Sequence, residues 1–314
     1  MIIGITGGTG FIGKRLVLRH LGKGDTVRVL TRKTPDNAAL PKDVVLCVGD
    51  LTEVGQNLRS FVNGVDLLYH CAAEINSPSL MDKVHVQGTR NLIAAASGSI
   101  GHWVQLSSVG VYGPQRRGIL TEEVPLHPVG PYEITKAESD RLVIDAGMKG
   151  SFSYSILRPS NVFGPDMSNQ SLFKLISLIN RGLFFYIGKP SASANYIHVD
   201  NVVEGLALCG KIPAARGQIY NLSDCRPMEE FVEIIAGALH KPVPRLRLPE
   251  MPIRWMGKLL GRLPRFPLTE SRVNALTNKS MYSIERIRHE LGYLHLLPME
   301  EGLRQMVEVW KRVG

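Results

Sequence analysis

Residues 2–31 read as strand, glycine turn, helix and second strand, and no other feature constrains the fold of this chain as much. Ile2–Thr6 is a short β-branched run, followed by Gly7-Gly8-Thr9-Gly10-Phe11-Ile12-Gly13. Ile12, Leu16, Val17 and Leu21 then recur at helical spacing until Gly22 and Gly24 end the pattern, and Thr26–Thr31 is again strand-like. A strand, a crossing helix and a second strand within about thirty residues is the context in which a glycine fingerprint holds a dinucleotide. Gly7 permits the tight turn. Gly10 lets the backbone approach a pyrophosphate seated on helix N-terminal amides, and Gly13 lets helix and strand pack closely. Thr9, Phe11 and Ile12 belong to the same expected cofactor loop.

The end of the second strand reads the cofactor type. An acid here would hold the adenosine ribose hydroxyls of NAD. Thr31 and Arg32 stand there instead, with Lys33 next, which favours a 2′-phosphate and so NADP over NAD. Two further strand–loop units follow. Val44–Leu51 ends in Asp50-Leu51, placed for an adenine edge. Gly64–Ala73 is a buried-strand run ending in the small residues Cys71, Ala72 and Ala73, which let a cofactor lie across it. A helix over Met81–Ala96 leads to a strand His102–Leu106 that ends in Ser107-Ser108. This alternation predicts an α/β chain built on a Rossmann-type, doubly wound parallel sheet. The C-terminal third reads as a smaller, mostly helical substrate region. The expected division is 1–163 with 191–225 for the nucleotide domain, and 164–190 with 226–314 for the substrate domain.

Tyr132 lies 24 residues beyond Ser108, and Lys136 follows four residues later. On a helix, positions four apart share a face. A lysine beside a phenol favours the charged phenolate and lowers its pKa. By itself this spacing arises by chance about half the time in such a chain. Its weight comes from Ser108 at a strand end and the glycine turn upstream. Together they place catalytic Ser108, Tyr132 and Lys136 around one crevice.

The ordered motifs carry a resemblance. They are Thr6–Gly13, Asp50-Leu51, His70–Ala73, Val86-Gln87-Gly88-Thr89, Ser107-Ser108, Val111-Tyr112-Gly113, Tyr132 with Lys136, Leu157–Pro165 and Tyr196–Val202. The chain resembles the extended short-chain dehydrogenase/reductase family, the NAD-dependent epimerase/dehydratase group, over almost its whole length. The resemblance implies NAD(P)-dependent hydride transfer. Tyr132 would be the acid/base at the substrate oxygen, Lys136 the anchor of the nicotinamide ribose that keeps Tyr132 acidic, and Ser108 a hydrogen-bond partner of that oxygen. It puts Pro159 and Ser160 beside the nicotinamide and Asn161 near substrate. Family members often have Asn where His85 stands; that Asn steadies the serine loop, and His85, counted with the cofactor-binding residues, can donate a hydrogen bond there or add a titrating group. The resemblance also implies a homodimer through helices Met81–Ala96 and Pro131–Ala146.

The substrate is less legible. Nucleotide-sugar enzymes of this family often carry an Arg where Ala194 stands, so the expected diphosphate clamp is missing. The sequence leans to the 3β-hydroxysteroid dehydrogenase-like and dihydroflavonol reductase-like branch, hence to hydroxyl–ketone interconversion on a partly apolar small molecule. A nucleotide-sugar 4-epimerase or dehydratase with tightly bound NAD is the rival, and a non-catalytic nucleotide sensor a third reading. Asp200 reads as the N-cap of the helix that follows it.

The net charge of +9 is concentrated: residues 241–290 hold eleven Lys/Arg against four Glu. Within it, residues 254–266 alternate apolar and cationic side chains at helical spacing. That pattern suits a peripheral membrane contact or a lid over an apolar pocket, and equally a core helix of the small domain with a basic outer face. Nucleic acid is not an expected partner. No apolar run reaches the roughly 18 residues of a membrane span, and no signal peptide is expected. Four scattered cysteines argue against zinc and disulfides, so no metal and a cytoplasmic location are expected.

Overall fold

The structure, a computed structural model, describes residues 1–32, 40–167, 171–260 and 270–313. Strands β1 (Ile2–Thr6), β2 (Thr26–Thr31), β3 (Val45–Val48), β4 (Val65–His70) and β5 (Ile100–Leu106) join strands Ser153–Pro159 and Gln218–Leu222 in a seven-stranded sheet. The spatial order is Gln218–Leu222, Ser153–Pro159, β5, β4, β1, β2, β3, and every neighbouring pair is parallel. The chain moves outward from β1 to β3 and then returns to start β4 on the other side of β1. Such a reversal opens a crevice at the carboxyl ends of the strands, because the connections leave toward opposite faces.

Each face of the sheet has its own core, which is why the strands read as nearly continuous apolar runs. Helix α1 (Phe11–Leu21) and helices Val199–Lys211 and Glu285–Leu291 lie on one face, around Ile3, Ile5, Val17, Leu206, Tyr220 and Ile287. Helices Gln56–Val62, Gly88–Ala96 and Pro131–Met148 cover the other, around Leu58, Leu92, Trp103 and Val143. A separate core joins helices Ser171–Asn180, Met228–Ala238 and Met299–Val313 through Leu172, Ile176, Phe231, Val232, Leu303 and Met306. No helix among the described residues is long and apolar enough to cross a membrane.

The strand–loop unit read over Val44–Leu51 has Val45–Val48 as its strand, and the Gly49 N–H donates to the Thr31 carbonyl as Asp50-Leu51 turn away. Two local expectations change. The helix read over Met81–Ala96 starts at Pro78 and contains a π-helical segment, Asp82–Gln87, closed by the Gly88 N–H on the Lys83 carbonyl. Gly88 permits that detour by packing on Leu51: an added Cβ would stand 3.1 Å from the Leu51 Cβ. The N-cap at Val199–Lys211 is His198, whose Nδ1 accepts from the Asp200 N–H at 3.3 Å. Asp200 sits one step later, in the first turn, with a carboxylate oxygen 3.2 Å from Arg15 Nε.

A buried ion pair fixes the parts that flank the crevice. Arg158, on strand Ser153–Pro159, lies 3.2 Å from the carboxylate of Asp140 on helix Pro131–Met148, and both are almost fully buried. The same Asp140 oxygen accepts from the Ser107 hydroxyl at 2.7 Å, and Arg158 Nη1 donates to the Tyr112 hydroxyl at 3.1 Å. Tyr112 in turn donates to Asn221 at 2.8 Å. Removing one member of such a pair strands the other charge. Arg158→Met is therefore expected to cost about 3–5 kcal/mol and to lower the urea midpoint; a midpoint matching the parent would refute that role.

Candidate active site

The glycine turn is packed backbone against backbone. Gly7 has φ +69°, and a Cβ there would stand 2.7 Å from the Ala72 nitrogen and the Cys71 carbonyl carbon. A Cβ on Gly13 would stand 2.2 Å from the Gly7 oxygen. Only glycine fits either place, so the turn packs on the residues after β4 and α1 packs on the turn. At Gly10 the nearest atom to an added Cβ is the Gly7 oxygen at 3.2 Å, so the outer side of the turn is bare backbone. No side chain caps α1 and no acid stands in its first turn. Its unpaired amides carry the partial positive charge that suits a pyrophosphate. The cradle thus fits a dinucleotide, with Thr9, Gly10, Phe11 and Ile12 as its rim.

Arg32 is exposed at the end of β2, and Thr31 before it is buried. Asp50 accepts from the Thr52 N–H at 2.8 Å. Partial burial opposes the Asp50 charge, yet the Thr52 hydrogen bonds and the Arg32 and Lys83 cations hold its carboxyl below the usual range. Leu51 is buried, and its carbonyl accepts from Asn91 at 2.9 Å. At the end of β4, Cys71 and Ala72 are half-buried and Ala73 is exposed. Burial pushes the Cys71 thiol up to about 12, so this sulfur stays protonated and unreactive.

Ser108 follows β5 and accepts the Gly110 N–H at 3.1 Å, capping a short 3₁₀ turn, Val109–Tyr112. That turn approaches helix Pro131–Met148 closely: a Cβ on Gly110 would stand 3.0 Å from Glu133 Cγ and 3.3 Å from Ser108 Oγ. Tyr132 and Lys136 lie in the first two turns of the helix, where Pro131 at its first position favours initiation. Lys136 is buried, and its ammonium donates to the Leu106 carbonyl at the end of β5. Burial draws Lys136 below its usual value, while Asp140 and Cys71 work to keep it charged. Burial, with Glu133 and Asp140 nearby, pushes the Tyr132 phenol up to about 12. The acidification expected from Lys136 does not show: the groups acting on this phenol all raise it, and Tyr132 holds its proton.

His85 comes out of the π segment with both ring nitrogens engaged by protein. Nδ1 lies 2.8 Å from Thr135 Oγ1, Nε2 accepts from the Glu74 N–H at 2.9 Å, and the ring stands edge-on to Tyr132 at 5.6 Å. Pro159 ends its strand. The Ser160 N–H donates to the Leu222 carbonyl at 2.8 Å, and the Ser160 hydroxyl is buried without a partner among the described residues. Asn161 is exposed at the start of a short strand, Asn161–Phe163. The structure therefore brings His85 against Tyr132, and Lys136 to the end of β5 that leads into Ser107-Ser108, and leaves Asn161 exposed. Sequence reading missed Asp140 and Thr135. The spacing of Lys136 and Asp140, four apart on a helix, was the available signal for one of them.

Comparison with known proteins agrees with this geometry. The model of the NAD-dependent epimerase/dehydratase family matches residues 3–223. The chain is 30% identical over 330 residues to 3 beta-hydroxysteroid dehydrogenase/Delta 5-->4-isomerase of Mycobacterium tuberculosis, covering 96% of this chain and 88% of that one. It is 29% identical over 326 residues to short-chain dehydrogenase/reductase family 42E member 1 of Danio rerio, covering 92% and 83%. Among solved structures, gox2253 superposes with a TM-score of 0.79 at 25% identity, over 100% of this chain and 98% of that one. The chain belongs to the NAD-dependent epimerase/dehydratase family, the extended short-chain dehydrogenases/reductases.

Proposed function

We propose that this enzyme interconverts a hydroxyl and a ketone on a partly apolar small molecule, with Tyr132 moving the proton at the substrate oxygen. A nicotinamide dinucleotide held in the glycine cradle supplies or accepts the hydride. Ser108 hydrogen-bonds the reacting oxygen, and Tyr132 delivers its proton as the carbonyl is reduced or takes it as the alcohol is oxidised. Lys136 holds the nicotinamide ribose. Its ammonium stands between the strand ends that carry Cys71 and Leu106, where a positive charge favours phenolate once the site is filled. Gly7, Thr9, Gly10, Phe11, Ile12, Gly13, Asp50 and Leu51 hold the adenine and pyrophosphate half, and Cys71–Ala73, Pro159 and Ser160 border the nicotinamide half. Asn161 and the helical part, 164–190 with 226–314, meet the substrate.

The observation that favours an apolar substrate over a nucleotide sugar is the state of the nearest cation. Ala194 is buried and pairs across the strand with Arg226. Arg226 is already neutralised by Asp224 at 2.8 Å, Glu230 at 2.8 Å and Glu300 at 3.9 Å, so it offers a diphosphate little free charge. The name of one of the two relatives above, the 3 beta-hydroxysteroid dehydrogenase/Delta 5-->4-isomerase, points to a steroid-type alcohol. The epimerase reading rests on the family name and on the fold shared with solved epimerases, such as UDP-glucuronic acid 4-epimerase from Bacillus cereus at 17% identity and a TM-score of 0.77.

We further propose NADP as the preferred cofactor, a cytoplasmic location and a homodimer. Arg32, with no acid beside it in Thr31-Arg32, supports the first; four free cysteines support the second. Exposed Leu80, Leu126 and Ile134, on and beside the two helices expected to pair, support the third. The segment 254–266, read as a possible peripheral membrane contact, falls within the described residues only to 260. Met251, just before it, and Trp255 and Met256, within it, are exposed on helix Glu250–Leu260.

The test is a panel of a 3β-hydroxysteroid, a dihydroflavonol and UDP-glucose, followed by nicotinamide absorbance. Stoichiometric reduction or oxidation with either apolar substrate is expected. Interconversion of UDP-sugars without net absorbance change would replace this reading with epimerisation. Tyr132→Phe should lower kcat by about 100-fold or more with cofactor binding nearly intact, and unchanged turnover would sink the mechanism. Arg32→Ala should weaken NADP roughly tenfold more than NAD; equal loss for both would reject the NADP preference. In sedimentation the parent should run as a dimer and Ile134→Lys as a monomer, whereas a monomeric parent would reject the pairing.

A further inference from the structure

His85 stands edge-on to Tyr132, and its contacts define its chemistry. Nε2 accepts the Glu74 N–H, so Nε2 carries no proton. A neutral ring must then carry its proton on Nδ1, which faces Thr135 Oγ1. The Thr135 hydroxyl, having accepted from the ring, donates its own proton to the Pro131 carbonyl at 2.8 Å, with the Tyr132 carbonyl at 3.1 Å. The donors and acceptors form one directed line, from the Glu74 amide through imidazole and hydroxyl to the first turn of the Tyr132 helix.

The line joins two parts of the site that no covalent neighbour joins. Glu74 immediately follows Cys71-Ala72-Ala73, the end of β4 against which the glycine turn packs. Pro131 and Tyr132 begin the helix that carries the phenol. The imidazole also supports the Tyr132 ring edge-on, at an interplanar angle of 85°. The backbone is built for this placement, because His85 sits within the π segment Asp82–Gln87. One extra residue in a helical turn re-aims the side chains that follow, and such turns concentrate at functional sites. Burial, with Lys136 nearby, holds the ring below its usual value, at about 4, so it stays neutral where most enzymes work. A protonated ring would set an Nε2 proton against the Glu74 proton and break the line.

We infer that His85 is a positioning residue for Tyr132: a neutral Nδ1-protonated imidazole that locks the Cys71–Glu74 loop to the first turn of the Tyr132 helix. It is then neither a cofactor ligand nor a second proton-transfer group, since both nitrogens are occupied by Glu74 and Thr135. This inference rests on the reading of Tyr132 as acid/base.

Nitrogen-15 NMR of the full chain labelled in histidine tests it directly, with His85 assigned by difference from His85→Phe. The expected signature is the Nδ1–H neutral tautomer, unchanged between about pH 5.5 and about pH 8. An Nε2–H tautomer, or titration within that range, would overturn the inference whatever the substrate proves to be. The kinetic arm uses the panel substrate that turns over fastest. His85→Phe keeps a ring against Tyr132 but removes both hydrogen bonds, and Thr135→Val removes the relay while keeping the shape. Each should lower kcat about 10- to 100-fold with the cofactor KM changed less than about threefold. The double variant should be no worse than either single one, because the two act as a unit. Additive losses, or losses confined to thermal stability with kcat intact, would make the role structural only. Unchanged turnover in Tyr132→Phe sinks the acid/base reading itself. An inactive Tyr132→Phe beside a fully active His85→Phe sinks only the inference about His85.

Discussion

The carboxylate of Asp140, buried against Arg158, is the knot on which the site depends. It takes a hydroxyl from Ser107, immediately before Ser108, and shares its helix with Tyr132 and Lys136. Its cation sits on the strand that leads into Pro159-Ser160. Three chain segments far apart in sequence thus meet at one charge pair, and each carries a candidate site residue one or a few positions away. A buried pair need not add net stability over an apolar substitute. Its value here is geometric: a guanidinium fork and a carboxylate accept few arrangements, so the segments have few ways to slide.

Around this knot lies a dense polar interior. His70, at the end of β4, lies 2.6 Å from the Thr6 hydroxyl and 3.0 Å from that of Thr89. Thr89 meets Ser139 at 2.9 Å, and Ser139 accepts from Gln105 at 2.9 Å. Burial holds His70 neutral, at about 3, so the chain of contacts carries no charge at working pH. These hydroxyls connect β1, β4, β5 and two helices beneath the crevice. A fully satisfied network of this kind is rigid, because any shift leaves a buried group unpaired. Lys136 is the charged exception, held by a carbonyl and balanced at a distance by Asp140.

The helical part around Leu172, Phe231 and Leu303 is made differently. Its core is apolar, and Arg226, across the strand from Ala194, is enclosed by acids. At the parallel sheet, Arg32 stands exposed at a strand end while Lys136 and Arg158 are buried.

Much of this was legible in the residues. The glycine turn and the run of apolar strands state the doubly wound sheet, since only a parallel sheet covered on both faces tolerates such strands. Gly7 and Gly13 are chemically explicit as well, because a missing Cβ marks where backbone meets backbone. Boundaries and side-chain partners were not legible. The π segment breaks a pattern that reads as ordinary helix, and His198 displaces Asp200 as cap while the Asp200 carboxylate turns to Arg15 on a distant helix. The partners of Tyr132 were hidden for the same reason. Four-residue spacing put Lys136 on its face, but the ammonium is taken by Leu106 and the ring is supported by His85, 47 positions upstream. By itself the sequence determined the fold and the chemical kinds of group at the crevice, because periodicity, glycine and residue type are local properties. Only the tertiary structure decided which groups are charged, which are neutral and which hold one another, because burial and hydrogen-bond partners are set by segments that meet only when the chain is folded.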